Sequence, residues 1–303
     1  MAIVEFNEER AHEVFSILTE LWVEKESIFQ GVTLPQDIYS LPSAPADQAL
    51  WLFYAALPMR GGVVSEDPFK PLFALRQRFP EIFKPETVAS DWTAEQFVGA
   101  FVKINLEMNG GNGAGALTYK FKEHARAWWN NSFTLNSDWR GNPLNIFTGV
   151  SEFEEAFRRV RFRGMRRKIF SLYTIWLQEK NLIPFFPTPL PVDFHALRVL
   201  WATGVIDIET KSLVSNGRYP QTLAGKPAIR VKPSLTDRVA QWSQGFMERH
   251  GFSHLVINPA LWVLSRELCV EQYQNSSRLR GEEFVDSAAV KDNPALWPPR
   301  YKN

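Results

Sequence analysis

Leu190-Pro191-Val192-Asp193-Phe194-His195-Ala196-Leu197-Arg198-Val199-Leu200-Trp201 reads as a rigid lead-in followed by the first turns of a helix. Prolines 184, 187, 189 and 191 stiffen the approach. Asp193 stands where an N-cap belongs, and Leu197, Leu200 and Trp201 come after it at helical spacing until Gly204 stops the pattern. A carboxylate there is favoured in its ionised form by the free amides and the positive end of the helix dipole. An ionised, immobile carboxylate can stabilise a sugar cation or activate a nucleophile. Asp is also a preferred N-cap in its own right, so a purely structural role is the competing reading.

On either side of this segment the helical period dominates. Lys168 to Lys180 forms an apolar helix through Ile169, Leu172, Tyr173, Trp176 and Leu177. Ser151 and Glu154 have the spacing of a capping box for a helix running to about Arg161, and Gly164 then interrupts the helical period. Helices are expected over 8–29, over the apolar stretch opened by Asp47 and closed by Pro58, from Asp91 or Thr93 through Leu106, and over 117–130. Two more begin at Ser234 or Thr236 and at Pro259. The span 130–145 reads as turn-rich, and Ala228 to Val231 is the one strand-like stretch. Asn109 to Gly115 is glycine-rich, but no strand precedes it and no Gly-Lys-Ser/Thr comes after it, so it reads as a surface loop rather than a phosphate loop. The expected fold class is all-α.

Composition narrows the functions. The 303 residues are 45% hydrophobic and 22% charged with a net charge of +1, so no global field announces a polyanionic partner. The charge is unevenly placed. Nine acids face only Arg10 and Lys25 in residues 1–50, whereas 158–168 carries Arg158, Arg159, Arg161, Arg163, Arg166, Arg167 and Lys168. Cys269 is the only cysteine, which excludes an intrachain disulfide, a cysteine-rich zinc site and a four-cysteine cluster. His250 and His254 have a metal-compatible i, i+4 spacing but no third ligand near them, so neither metal nor cofactor is expected. The longest apolar run, Ala49 to Leu57, is far shorter than the roughly 20 residues a bilayer requires. No signal peptide is evident at Met1–Arg10. The expectation is a cytoplasmic monomer that does not engage a membrane.

Val192-Asp193-Phe194-His195-Ala196-Leu197-Arg198-Val199 resembles the V-D-x-H-x-x-R-V segment of the helix-hairpin-helix base-excision glycosylases. Gly164-Met165-Arg166-Arg167-Lys168-Ile169 is similar to the end of their G-x-G-x-K-[TA] hairpin. The resemblance covers Phe162 to Ile206. It implies a glycosylase-like fold of two helical subdomains flanking a cleft: a helical region with irregular connectors over 1–90, a glycosylase core over 91–275 and an irregular tail over 276–303. It implies that Asp193 is the catalytic aspartate and Lys168 the Schiff-base nucleophile of lyase-competent members. Gly164, Arg166 and Arg167 would meet DNA phosphate, with the protein nucleoid-associated. Three features depart from the family pattern. Arg166 occupies the place of the second hairpin glycine, Asp193 follows Lys168 by 25 positions, and the cysteine cluster of several members is missing.

The implied activity is hydrolysis of the N-glycosidic bond of a modified or damaged base in DNA. Such an enzyme extrudes the nucleotide and stacks the base on aromatic walls beside polar groups. Trp128, Trp129, Trp139 and Phe186, with Asn131 and Arg140, are the candidates for that pocket; Phe185 and Asn142 are also available. Two alternatives stand beside it. One is a glycosidase of a modified free nucleotide, similar to the queuosine-salvage enzymes, which needs no duplex contacts. The other is a non-catalytic DNA-binding protein in which Asp193 is only a cap.

Overall fold

The computed structural model describes residues 4–59, 68–108, 121–208, 233–267 and 294–296. Among them are eleven α-helices and a single two-stranded sheet, so the chain is all-α in class. No helix among the described residues is long and apolar enough to cross a membrane. The chain forms two compact units, 1–32 together with 189–303, and 33–188. The boundaries of these units fall at 32/33 and 188/189. The reason is that the first helix buries its apolar face with helices from the far end of the chain.

In the first unit, α1 (Glu8–Glu24) is capped by Asn7, whose side chain accepts from the Arg10 amide. It ends at Lys25, which adopts a left-handed conformation with φ 57°, so the helix expected through residue 29 stops earlier. Val14, Phe15 and Leu18 are fully buried with Leu197, Leu200, Phe246 and Leu264. Strand β1 (Val4–Phe6) pairs antiparallel with β2 (Ile206–Ile208), Glu5 opposite Asp207. The sequence announces neither strand, because three residues are too few to establish a period of two. The stretch 228–231, read as strand-like, lies outside the described residues, as do the glycine-rich 109–115 and Cys269. Of the tail 276–303, Pro294–Leu296 forms a 3-10 turn with Leu296 wholly buried.

The second unit contains α2 (Pro45–Ala56), α3 (Phe69–Arg78), α4 (Pro85–Asp91), α5 (Ala94–Met108), α6 (Phe121–Trp139), α7 (Phe153–Arg159) and α8 (Arg167–Glu179). Residues Ala49 to Ala56 of α2 are all buried, which makes it the central helix of this unit. Its Pro45 occupies the first turn, where no amide partner is lost. Thr93 and Gln96 form a reciprocal capping box at the head of α5, Gln96 N–H to Thr93 Oγ1 at 3.3 Å and Thr93 N–H to Gln96 Oε1 at 3.0 Å. Of the span 130–145 read as turn-rich, 130–139 is instead the second half of α6, and 140–145 is a turn leading into a 3-10 turn over Pro143–Phe147. The asparagine and serine side chains of α6 bond back to their own helix or to a neighbouring loop, which leaves the helix intact.

Three further helices, α9 (Phe194–Ala202), α10 (Pro233–His250) and α11 (His254–Glu267), complete the first unit. Pro259, expected at the start of the last helix, lies inside α11, which begins at His254 under the Ser253 side chain.

Candidate functional site

Asp193 is the N-cap of α9. Its Oδ1 accepts from the Ala196 amide at 3.3 Å and its carbonyl from the Leu197 amide at 3.0 Å. The Val192 amide bonds the Leu190 carbonyl at 2.8 Å, so the chain makes a tight turn just before the cap. Val192 and Leu197 are both buried in one core and occupy the two staple positions that fix how the chain enters a helix. Local sequence accounts for all of this: Pro191 sets the turn, Val192 anchors it, and the aspartate is left half-buried over the open helix end. The side chains of Phe194, His195 and Arg198 lie outside the described residues.

The cationic segment lies in the second unit between α7 and α8. Phe162 and Met165 are buried, while Arg161, Arg163 and Arg166 are exposed. Gly164 has φ 86°, a left-handed backbone that glycine adopts without strain. Asn131 holds this turn from α6: its Oδ1 accepts from the Arg163 amide at 2.7 Å and its Nδ2 donates to the Arg163 carbonyl at 3.0 Å. At the head of α8 there is no side-chain cap and no acid in the first turn, an arrangement that favours an anion.

The use of Glu154 differs from the sequence expectation. Ser151 and Glu154 do not form a capping box. The N-cap of α7 is Glu152 without a side-chain bond, and Glu154 turns to Arg167. Arg167 Nη2 donates to Glu154 Oε2 at 2.8 Å, Nη1 bonds the other oxygen, and the guanidinium lies 5.2 Å from the Phe157 ring centre. A fork-to-fork ion pair is geometrically stronger than a capping contact, so it takes the carboxylate. Arg167 is thereby committed within the fold, and Arg161 and Arg163 join Arg166 as the exposed cations of the turn.

The candidates for a base pocket all lie in the second unit. Trp128 is 3% exposed, stacks on Tyr54 with ring centres 3.9 Å apart, and donates to the Ile82 carbonyl at 3.1 Å. Phe186 is also 3% exposed, beside Phe147. Asn131 is committed to the Arg163 turn. All three are buried, Trp128 and Phe186 as interior aromatics and Asn131 through its bonds to the Arg163 turn. Trp129 is half-buried, donates to the Trp92 carbonyl at 3.0 Å and lies against the exposed Phe133. Trp139 is half-buried with its indole N–H buried and unpaired. Arg140, exposed with φ 53°, turns the chain at the end of α6. Gly164, Arg166, Arg167 and Lys168 thus share one loop–helix junction of the second unit, whereas Asp193 belongs to the first.

Among the described residues, no group of three or more His, Cys, Asp or Glu could hold a metal ion. His254 is 3% exposed, and burial pushes its pKa down to about 4. Comparison with models of known protein families, with curated proteins and with solved structures returned no match.

Asn131→Ala should cost about 2 kcal/mol in urea unfolding, since it strands the amide and carbonyl of Arg163 in a partly buried turn. An unchanged midpoint would show that the turn holds itself.

Proposed function

We propose that this protein is an N-glycosylase that releases a modified or damaged base from DNA, with Asp193 as the catalytic carboxylate. The observation that carries the reading is the aspartate itself. It sits at the head of α9 behind a tight Leu190–Val192 turn, stapled by Val192 and Leu197, in a segment that resembles the glycosylase signature. In the proposed reaction the C1′–N bond breaks, and the base leaves with the bonding electrons and takes up a proton. Water adds to C1′ and gives up a proton. The ionised Asp193 stabilises the positive charge that develops on the sugar between these events. An associated lyase step would follow on the abasic sugar: the Lys168 amine condenses with the C1′ aldehyde and releases water, and loss of a C2′ proton then breaks the C3′–O bond, so the 3′ phosphate leaves and the strand is cut.

Duplex DNA is favoured as substrate by Arg161, Arg163 and Arg166, displayed on a glycine turn that Asn131 fixes, beside the uncapped head of α8. The free-nucleotide reading keeps one observation of its own: Arg167, the neighbouring cation, is neutralised by Glu154, and Arg166 replaces the glycine that a close phosphate approach needs. Salt dependence separates the two. Replacing Arg161, Arg163 and Arg166 together by Ala should lower the slope of log affinity against log salt by about 0.9 for every phosphate no longer neutralised, measured on a lesion-bearing duplex. Wild-type protein without measurable duplex affinity, yet releasing base from free nucleotides, would favour the second reading.

A further inference from the structure

The last turn of α8 holds both segments by which the chain passes between its two units. Those passages fall at 32/33 and 188/189. On the incoming side, Gln36 Nε2 donates to Glu179 Oε2 at 2.8 Å, and Lys180 forms an ion pair with Asp37. On the outgoing side, Gln178 Nε2 donates to the Phe186 carbonyl at 2.9 Å and the Pro184 carbonyl at 3.4 Å. Thr188 Oγ1 donates to the Phe186 carbonyl at 3.2 Å. Three consecutive residues, 178 to 180, therefore secure residues 36 and 37 on one side and 184 and 186 on the other. Gln36, Gln178 and Thr188 are each less than 5% exposed, while Glu179 is half-buried and the Lys180–Asp37 pair lies at the exposed edge of the turn.

We propose that this turn is a proton-controlled clamp on the two chain passages, closed while the Glu179 carboxyl holds a proton and loosened when it ionises. Uncharged, the carboxyl keeps an oxygen that accepts from Gln36 and carries no charge into a partly desolvated site. Ionised, it is a half-buried anion with the neutral Gln36 amide as its donor, near the carbonyl end of α8, where the helix dipole disfavours negative charge. The charged groups that act on it are Lys180 and Asp37, which are paired with each other and so largely cancel. Burial, with Asp37 adding to it, pushes Glu179 up to about 7 against the bond from Gln36 and the Lys180 charge. An opened clamp returns the carboxyl to water and to its ordinary range. The closed form therefore gains a proton relative to the open one between about pH 4.5 and 7, and opening becomes easier as pH rises through that window.

Hydrogen exchange on the full-length protein tests this. Protection factors of peptides covering 33–41 and 182–188 should fall by about tenfold or more from pH 5 to pH 8, after correction for intrinsic exchange. Glu179→Gln, which keeps an acceptor for Gln36 but cannot ionise, should hold the protection high and level. A wild-type protein with no such fall, or a Glu179→Gln variant with the same fall, would overturn the proposal. If the variant does not fold, carboxyl-carbon NMR of the wild type decides. A Glu179 midpoint near 7, with the Gln36 side-chain amide shifting in step, supports the clamp; a midpoint in the ordinary carboxylate range overturns it.

Discussion

Asp193→Asn should reduce base release by about 10²- to 10⁴-fold in single-turnover assays while leaving the melting temperature unchanged. Asn is as good an N-cap as Asp, and its carbonyl oxygen can take over the Ala196 amide. Its amide carries no charge, so the helix is kept and the stabilisation of a sugar cation is lost. Asp193→Ala should differ in a telling way: activity falls similarly, and about 1 kcal/mol of stability goes with the cap. A variant that loses only that stability and keeps its function would reduce Asp193 to a cap.

The second large effect is structural. Trp128→Ala should destabilise the protein by about 3–5 kcal/mol in urea unfolding. Trp128 packs face to face with Tyr54, meets Phe83 and Phe101 edge-on with ring centres 5.0 and 5.4 Å away, and places its indole N–H on the Ile82 carbonyl. Its removal leaves a cavity and an unpaired carbonyl in the centre of the 33–188 unit. The Tyr54 hydroxyl, bonded to Ser132 at 2.8 Å, loses the ring that shields it. Were Trp128 a base wall, the same change would weaken substrate binding and spare stability.

The contrast between these residues shows how much can be read from the chain alone. Asp193 is legible because its determinants are local: a proline, an anchoring valine and a helical period lie within ten residues. The helix α8 is legible for the same reason, its apolar stripe running unbroken from Ile169 to Leu177. Trp128 carries no local mark that distinguishes an interior ring from a pocket wall; Tyr54, which covers it, is 74 positions earlier. Glu154 has two competing uses, and the choice between cap and ion pair depends on Arg167 returning beside it, 13 residues on. Glu179 looks like the solvated end of an apolar helix until Gln36, 143 residues away, is found against it. The strands Val4–Phe6 and Ile206–Ile208 exist only as a pair, and each is too short to announce itself.

The most direct test of glycosidic chemistry at Asp193 is mass-spectrometric detection of free base. Full-length protein would be incubated with duplex oligonucleotides bearing a panel of modified and damaged bases, in parallel with the corresponding free nucleotides. Free base from at least one duplex, absent with Asp193→Asn at equal folded concentration, is the predicted result. Release of no base from any duplex or nucleotide, or equal release by Asp193→Asn, would contradict it.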